Sequence, residues 1–307
     1  MTAAEPVQAG AGATADTFRL GAVVLTMGNR PAELNALLES VAAQRGPAVE
    51  VVVVGNGAPL PPLPPGVRSV ELDENLGIPA GRNVGIEAFG PNGSAVDAVL
   101  FLDDDGLLPG DDAAEKLRAA FTADPGLGIV SFRIADPESG ITQRRHVPRL
   151  RASDPLRSSP VTTFLGGASA VRSAVFSQAG QLPGEFFYAH EETDLAWRAL
   201  DVGWSIEYRA DIVLHHPLTL PGRHAVYHRM VARNRVWLAR RNLPALLVPA
   251  YLGTWILLTL VRRPSRAALR AWVGGFREGW RTPCGPRRPM RWRTVWRLTR
   301  LGRPPII

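Results

Sequence analysis

The chain begins its patterned region with short, wholly apolar runs separated by segments of helical spacing. Residues 20–26 (LGAVVLT) and 49–54 (EVVVVG region, VEVVVV) are rich in β-branched residues and do not alternate with polar ones, which predicts strands covered on both faces. Between them, residues 32–44 place Leu34, Leu37, Leu38 and Val41 on one helical face. Strand, helix and strand at this distance make a βαβ unit, which needs a right-handed crossover and a parallel sheet. A Pro-rich loop at 59–66 (PLPPLPPG) follows, then a short strand at 68–72 and a Gly-punctuated segment at 75–89. The pattern predicts a strand at 97–102, a helix at 111–121 and a strand at 127–133. Residues 136–160 read as a polar, Pro/Arg-rich loop. Residues 161–172 read as strand, Gly turn and strand, 191–202 as a helix, and 205–214 as a last strand.

From residue 223 the character changes. Residues 224–243 (HAVYHRMVARNRVWLARRNL) read as a basic helix, and 246–261 hold no charge. That run of 16 falls short of the ~20 residues that a membrane span needs, and Pro249 interrupts it. Charge divides the chain at the same place. Residues 1–220 hold 16 basic and 27 acidic residues, net −11; residues 221–307 hold 19 Arg against Glu278 alone, net +18; the whole is +7. Trp237, Trp255, Trp272, Trp280, Trp292 and Trp296 lie in the basic part, and Trp with Arg suits a lipid interface with anionic head groups. A nucleic-acid backbone is the other anion such a tail could meet, but the uncharged run argues for lipid and against nucleic acid. A helical cap packed on the rest is compatible with either. Residues 1–17 lack the basic start and apolar core of a signal peptide and read as a flexible leader. The single cysteine, Cys284, can form neither an internal disulfide nor a cysteine zinc site.

Three segments carry candidate chemistry. FLDDDG ends a buried strand in Asp103, Asp104 and Asp105, at the edge where open α/β sheets bind ligands. Carboxylates there suit Mg²⁺ or Mn²⁺, and extended alternation puts Asp103 and Asp105 on one side and Asp104 on the other. The alternative is a solvated acidic loop. HEETDLAWRAL places Glu191, Glu192 and Asp194 at a helix start; capping explains one acid, and crowding that raises a carboxylate pKa favours a general base. LHHP closes a strand with His215 and His216, either structural or able to add a nitrogen ligand.

In order, the βαβ unit, NLGIPAGRNVGI, FLDDDG, FLGGASAVR, HEETDLAWR and LHHP resemble family 2 glycosyltransferases of the GT-A fold, over about residues 20–240. The bacterial subgroup with rhamnosyl- and galactofuranosyltransferases of cell-envelope assembly is the nearest in pattern. The resemblance implies an α/β domain over 18–222 with a Rossmann-like, mostly parallel sheet, followed by a basic, membrane-associating helical region over 223–307. It implies a nucleotide-diphosphate sugar donor, with Mn²⁺ or Mg²⁺ held by Asp103, Asp105 and His215, His216 being the reserve. Asp104 would lie beside the ribose or sugar. Glu192 would be the base of an inverting transfer, with Glu191 and Asp194 shaping the pocket. Thr26, Arg30, Asn56, Asn75, Gly81, Arg82, Gly166 and Gly167 would line the donor site. The implied acceptor is a lipid-linked or cell-envelope glycan at the cytoplasmic face of the plasma membrane.

Two departures bear on the donor. Gly55 stands where the family has an Asp that contacts the nucleoside, with Asn56 as the available substitute, and TMGNRP replaces the usual first loop. Gly55 also keeps a non-catalytic glycan- or membrane-binding protein in view. A sugar nucleotidyltransferase would carry a Gly-rich phosphate loop with a basic residue after the first strand, which MGNRP matches poorly.

Overall fold

The computed structural model describes residues 17–150, 154–217 and 225–307. The leader expected at 1–17 and the boundary expected at 222/223 fall almost wholly outside them.

The sequence of elements starts with β1 (Leu20–Thr26), α1 (Pro31–Ala42), β2 (Glu50–Asn56), β3 (Arg68–Leu72), α2 (Gly77–Glu87) and β4 (Ala98–Asp103). It continues with α3 (Ala113–Ala123), β5 (Leu127–Ala135), β6 (Ser159–Pro160), β7 (Ala168–Arg172), α4 (Ser173–Ala179), α5 (Glu191–Val202) and β8 (Ser205–His215). Four helices close the chain: α6 (Ala225–Asn242), α7 (Leu247–Val261), α8 (Arg266–Arg281) and α9 (Trp292–Arg300). The strands form one sheet in the order β3-β2-β1-β4-β7-β5-β8-β6. Pairing is parallel except where β7 runs against β4 and β5, and β6 against β8.

Side chains of the apolar strands divide between two cores by the pleat. Val23, Val52, Val54, Val99 and Phe101 point to the core that α2, α4, α5 and α6 cover. Ala22, Val24, Val51, Val53, Leu100 and Leu102 point to the core that α1 and α3 cover with Leu34, Leu37, Leu38, Val41, Leu117 and Phe121. Burial on both faces is why these strands show no alternation in the sequence.

One expectation changes. Residues 161–165 form no strand; only Ser159–Pro160 pairs, at the sheet edge. The Gly-punctuated segment is helix α2, where Gly85 lets Val23 approach.

The basic helix α6 is not laid on the surface. Val236, Trp237, Leu238 and Ala239 are buried in the first core, and Asn234 and Asn242 are buried with them. Asp194 of α5, fully buried, accepts from Arg241 Nε at 3.0 Å and Asn242 Nδ2 at 2.6 Å. At the other end of α5, Asp201 accepts from Arg291 N at 2.8 Å and Thr294 Oγ1 at 2.6 Å, which fastens α9. Several tail arginines are therefore used internally. Helix α7 differs: Leu257, Leu260 and Val261 are 55–67% exposed. Among the described residues no helix is long and apolar enough to cross a membrane.

Candidate active site

The carboxyl ends of β1, β2 and β4 open onto a cleft of about 510 Å³, within the size range of small-molecule sites. Its wall includes Thr26, Arg30, Asn56, Asn75, Arg82, Asp103, Asp104, Asp105, Tyr188 and His216.

The three aspartates do not alternate. Strand β4 ends at Asp103, and Gly106 N donates to Asp103 O at 2.9 Å, so a turn begins there and all three line the same cleft. Asp104 Oδ2 accepts from Thr26 Oγ1 at 2.6 Å, and burial raises its pKa against that hydrogen bond and the charge of Arg30. Asp105 Oδ1 lies 3.2 Å from His216 Nε2, and Asp105 also pairs with Arg30. Burial alone would raise the Asp105 carboxyl; the His216 hydrogen bond and the charges of His216 and Arg30 outweigh it and hold the group below its ordinary value.

The histidine assignment changes as a result. His215 is the last residue of β8 and exchanges backbone hydrogen bonds with Leu107, at 2.7 and 2.9 Å. Its neighbours in charge are Arg133 and Asp136, away from the aspartates. His216, one residue on, turns to Asp105 because side chains of successive extended residues face opposite ways. Asp105 and His216 give a hard oxygen and an imidazole nitrogen aimed at one point of the cleft, a donor pair that fits Mn²⁺ or Mg²⁺. Among the described residues no group of three or more His, Cys, Asp or Glu is gathered as a ready-made metal cage.

Antiparallel β7 brings the Gly turn to the aspartates. Its first residue, Ala168, pairs with Leu102, so Gly166 and Gly167 meet the carboxyl end of β4. Asp103 N donates to Gly167 O at 3.2 Å. A Cβ on Gly167 would lie 1.9 Å from Asp103 Oδ2, and one on Gly166 would lie 2.3 Å from Glu192 Oε1. Arg82, 4% exposed, bridges these groups: Nη2 donates to Asp103 Oδ1 at 3.0 Å, and the same guanidinium lowers the Glu192 pKa. Burial nevertheless raises Glu192, and burial and the Glu192 charge raise its neighbour Glu191. Glu191 is 2% exposed, and its Oε2 has no hydrogen-bond partner.

Other predicted site residues have structural places. Asp194 faces α6 and not the cleft. Gly81 lies against Leu25, where a Cβ would come within 2.5 Å of Cδ1, so it seats α2 on β1. Asn56 and Asn75 line the cleft while holding the start of α2: Asn56 Oδ1 accepts from Leu76 N at 2.9 Å, and Asn75 Oδ1 from Gly77 N at 2.8 Å. Gly55 is closed to any side chain, because a Cβ would lie 2.6 Å from Ala58 O. The tight turn after β2 thus excludes the family's Asp at this position.

The loop before α5 was not foreseen as a feature. Phe187, Ala189 and His190 all have positive φ, at 63°, 71° and 72°. For residues with a Cβ that conformation is strained, and it persists only where the surroundings fix it. Buried Asn234 of α6 supplies the fixing: its Nδ2 lies 2.8 Å from Phe186 O, 2.7 Å from Tyr188 O and 3.0 Å from Ala189 O. An Asn inside a basic helix gives no sign of this in the sequence.

Comparison with known proteins places this arrangement. The family described as glycosyl transferase family 2 matches residues 22–179. The chain belongs to glycosyl transferase family 2. The matched segment holds the three aspartates, Arg82 and the Gly turn, and stops short of Glu191, Glu192 and His216. The pre-mycofactocin glycosyltransferase of Mycobacterium tuberculosis is 26% identical over 273 residues, which cover 84% of this chain and 51% of that protein. The chain thus spans about half the length of the curated relatives it matches. Among solved structures, residues 1–349 of S. aureus TarS superpose with a TM-score of 0.58 at 16% identity, covering 85% of this chain and 81% of that one. The mannosyltransferase PcManGT of Pyrobaculum calidifontis, in complex with GDP-Man and Mn²⁺, superposes at 0.54 with 19% identity, covering 89% and 84%. At these identities the structures establish the common GT-A fold of this glycosyl transferase family 2 chain.

Proposed function

We propose that the protein is an inverting glycosyltransferase that moves a sugar from a nucleotide-diphosphate donor to an acceptor held at a membrane surface. One observation carries this reading: Asp103–Asp105, His216 and Arg82 line a single cleft at one sheet edge, with Glu192 beside Arg82 at the Gly166 turn. The related solved structures support the donor class, since TarS is known with UDP-GlcNAc and PcManGT with GDP-Man and Mn²⁺.

Asp105 and His216 would hold the divalent cation, which when bound supplies Lewis-acid stabilisation of the leaving diphosphate. The chain's own residues do the rest. Thr26 and Arg30 orient Asp104 and Asp105, and Asn56 and Asn75 line the part of the cleft where a nucleoside fits. Glu192, raised by burial and checked by Arg82, is placed to take the proton from an acceptor hydroxyl as its oxygen attacks the anomeric carbon. The bond from that carbon to the diphosphate breaks as the new one forms, from the opposite face. Asp103 keeps Arg82 in place and, with it, the charge beside Glu192.

Helix α7 supports the acceptor's location. It carries no charge, exposes Leu257, Leu260 and Val261, and is followed by Arg262 and Arg263. That combination suits contact with the headgroup region of a bilayer, on the cytoplasmic face if the acceptor is a lipid-linked envelope intermediate.

The donor site is tested by calorimetry with UDP, GDP, dTDP and CDP, with and without Mn²⁺. Metal-dependent binding of one nucleotide, lost in Asp105→Ala and kept in Glu192→Gln, is the expected result. Binding of none under either condition would remove the donor-site assignment and leave the non-catalytic reading.

A further inference from the structure

A second, smaller cavity of about 70 Å³ lies on the far side of the α5 N-terminus, lined by Thr162, Thr163, Thr193, Arg235, Trp255 and Arg303 among others. It is well above the roughly 10–15 Å³ that a single water needs. Its lining is rich in donors and holds no Asp or Glu side chain; the hydroxyls of the threonines and Tyr251 can also accept, and Ile307, the last residue, completes the wall. Arg235, 9% exposed, stacks its guanidinium 3.4 Å from the Trp255 ring centre, and its one side-chain hydrogen bond, at 3.5 Å, goes to the Tyr251 hydroxyl. Among the described residues, no carboxylate lies within 4.0 Å of Arg235 or Arg303. Arg262 crowds Arg235, Arg144 crowds Arg303, and burial disfavours the charge of both. The Trp255 Nε1 and His190 Nε2 atoms are buried without hydrogen-bond partners.

A guanidinium removed from water without a counter-charge is strongly disfavoured unless an anion completes it. The donors here are two guanidinium groups, three threonine hydroxyls and an indole N–H. They exceed what the two oxygens of a carboxylate can accept, and guanidinium forks match phosphate oxygens. Position adds the functional link. Thr193 lines this cavity while its neighbour Glu192 meets Gly166, so successive residues at the start of α5 face the two sites. Trp255 belongs to α7, whose following residues Ile256, Leu257, Leu260 and Val261 are exposed.

We propose that this cavity is an anion site that takes a phosphate-class group of the acceptor and thereby sets the acceptor's hydroxyl against Glu192. The assignment rests on the glycosyltransferase reading above. The apolar run of α7 beside it favours a phosphate carried on a lipid over a free one.

The test is calorimetric titration of the full chain in EDTA with inorganic pyrophosphate and with dodecyl phosphate below its micelle concentration. An uncharged alkyl maltoside controls for apolar binding alone. Arg303→Gln and Thr163→Val are compared with Arg300→Gln, an exposed position on α9. Dodecyl phosphate binding at least tenfold weaker in Arg303→Gln, weaker in Thr163→Val and unchanged in Arg300→Gln is expected. Tighter binding of dodecyl phosphate than of pyrophosphate identifies a lipid-borne group; equal binding identifies a free phosphate at the same site. Asp105→Ala keeps this binding while losing metal-dependent nucleotide binding, which separates the two sites. No binding of either phosphate, binding indifferent to Arg303→Gln and Thr163→Val in folded protein, or binding lost in Asp105→Ala overturns the proposal.

Discussion

Gly166 and Gly167 are small because two carboxylates occupy the space a side chain would take. A methyl on Gly167 falls inside the van der Waals radius of Asp103 Oδ2, 1.9 Å away, so either the carboxylate or the β7 entry must move. Such overpacking costs roughly 1–3 kcal/mol. Gly167→Ala is expected to weaken metal-dependent nucleotide binding more than tenfold in calorimetry while far-UV circular dichroism stays native. Wild-type affinity in this variant would show that Asp103 has no part in the donor site. Glu191 gives a second prediction, in stability. Its folded-state pKa is raised above the ordinary 4.5 by burial and by Glu192, so the folded protein holds that proton more tightly than the unfolded chain. The stabilisation is complete below pH 4.5 and is lost as pH rises through the folded-state value. Glu191→Gln should therefore flatten the pH dependence of the melting temperature and raise it above pH 8. At this scale the sequence located the end of β4 in FLDDDG and the start of α5 at Glu191 and Glu192. It was not readable where one residue's phase decides orientation, as with His215 and His216, or where an acid is spent on packing, as with Asp194.

Helix α6 shows what elements contribute. The hydrophobic pattern located it, and charge suggested that it lies on a surface. What the pattern could not show is that Asn234 holds the strained loop Phe187–His190 in place, because that partnership spans 45 to 48 residues of sequence. Asn234→Ala leaves three carbonyls without that donor, each of them next to a positive-φ residue. A loss of roughly 1–3 kcal/mol of stability is expected, with faster amide exchange confined to residues 186–193. The turnover number should fall more than the donor's dissociation constant rises, since the loop positions Glu192 and not the nucleotide. Uniformly faster exchange would mean a general packing defect. The strand assignments were legible for the same reason the two cores exist: continuous apolar runs need cover on both faces. The reversal of β7 was not legible, since a five-residue strand (Ala168–Arg172) reads the same in either direction.

For the whole molecule, an acidic body and a basic tail divide one chain. Much of the tail's charge is engaged with α5 and with helix-end carbonyls, so the net charge overstates what is free to meet a surface. Exposed Leu257, Leu260 and Val261 lie next to exposed Arg262, Arg263, Arg266 and Arg270, which makes the end of α7 a basic and apolar patch. Co-sedimentation with anionic vesicles is expected, weaker with zwitterionic ones and falling with salt, as the Debye length shortens to about 8 Å near 0.15 M. Leu257→Asp with Val261→Asp should abolish it without changing nucleotide binding. Equal sedimentation of this double variant would assign the interaction to charge alone, elsewhere on the tail.

The pin on the strained loop also has a consequence in time. Every strand of the sheet is encoded before residue 216, while Asn234, Arg241 and Asn242 come later. During translation, at roughly 5–20 residues per second, the sheet and the cleft for the donor can form on the ribosome before the turn that carries Glu192 is locked. A chain that has emerged only as far as residue 216 would carry every strand yet lack the pin that positions Glu192. On this reading, transfer waits for α6, the last element that the base-bearing loop needs.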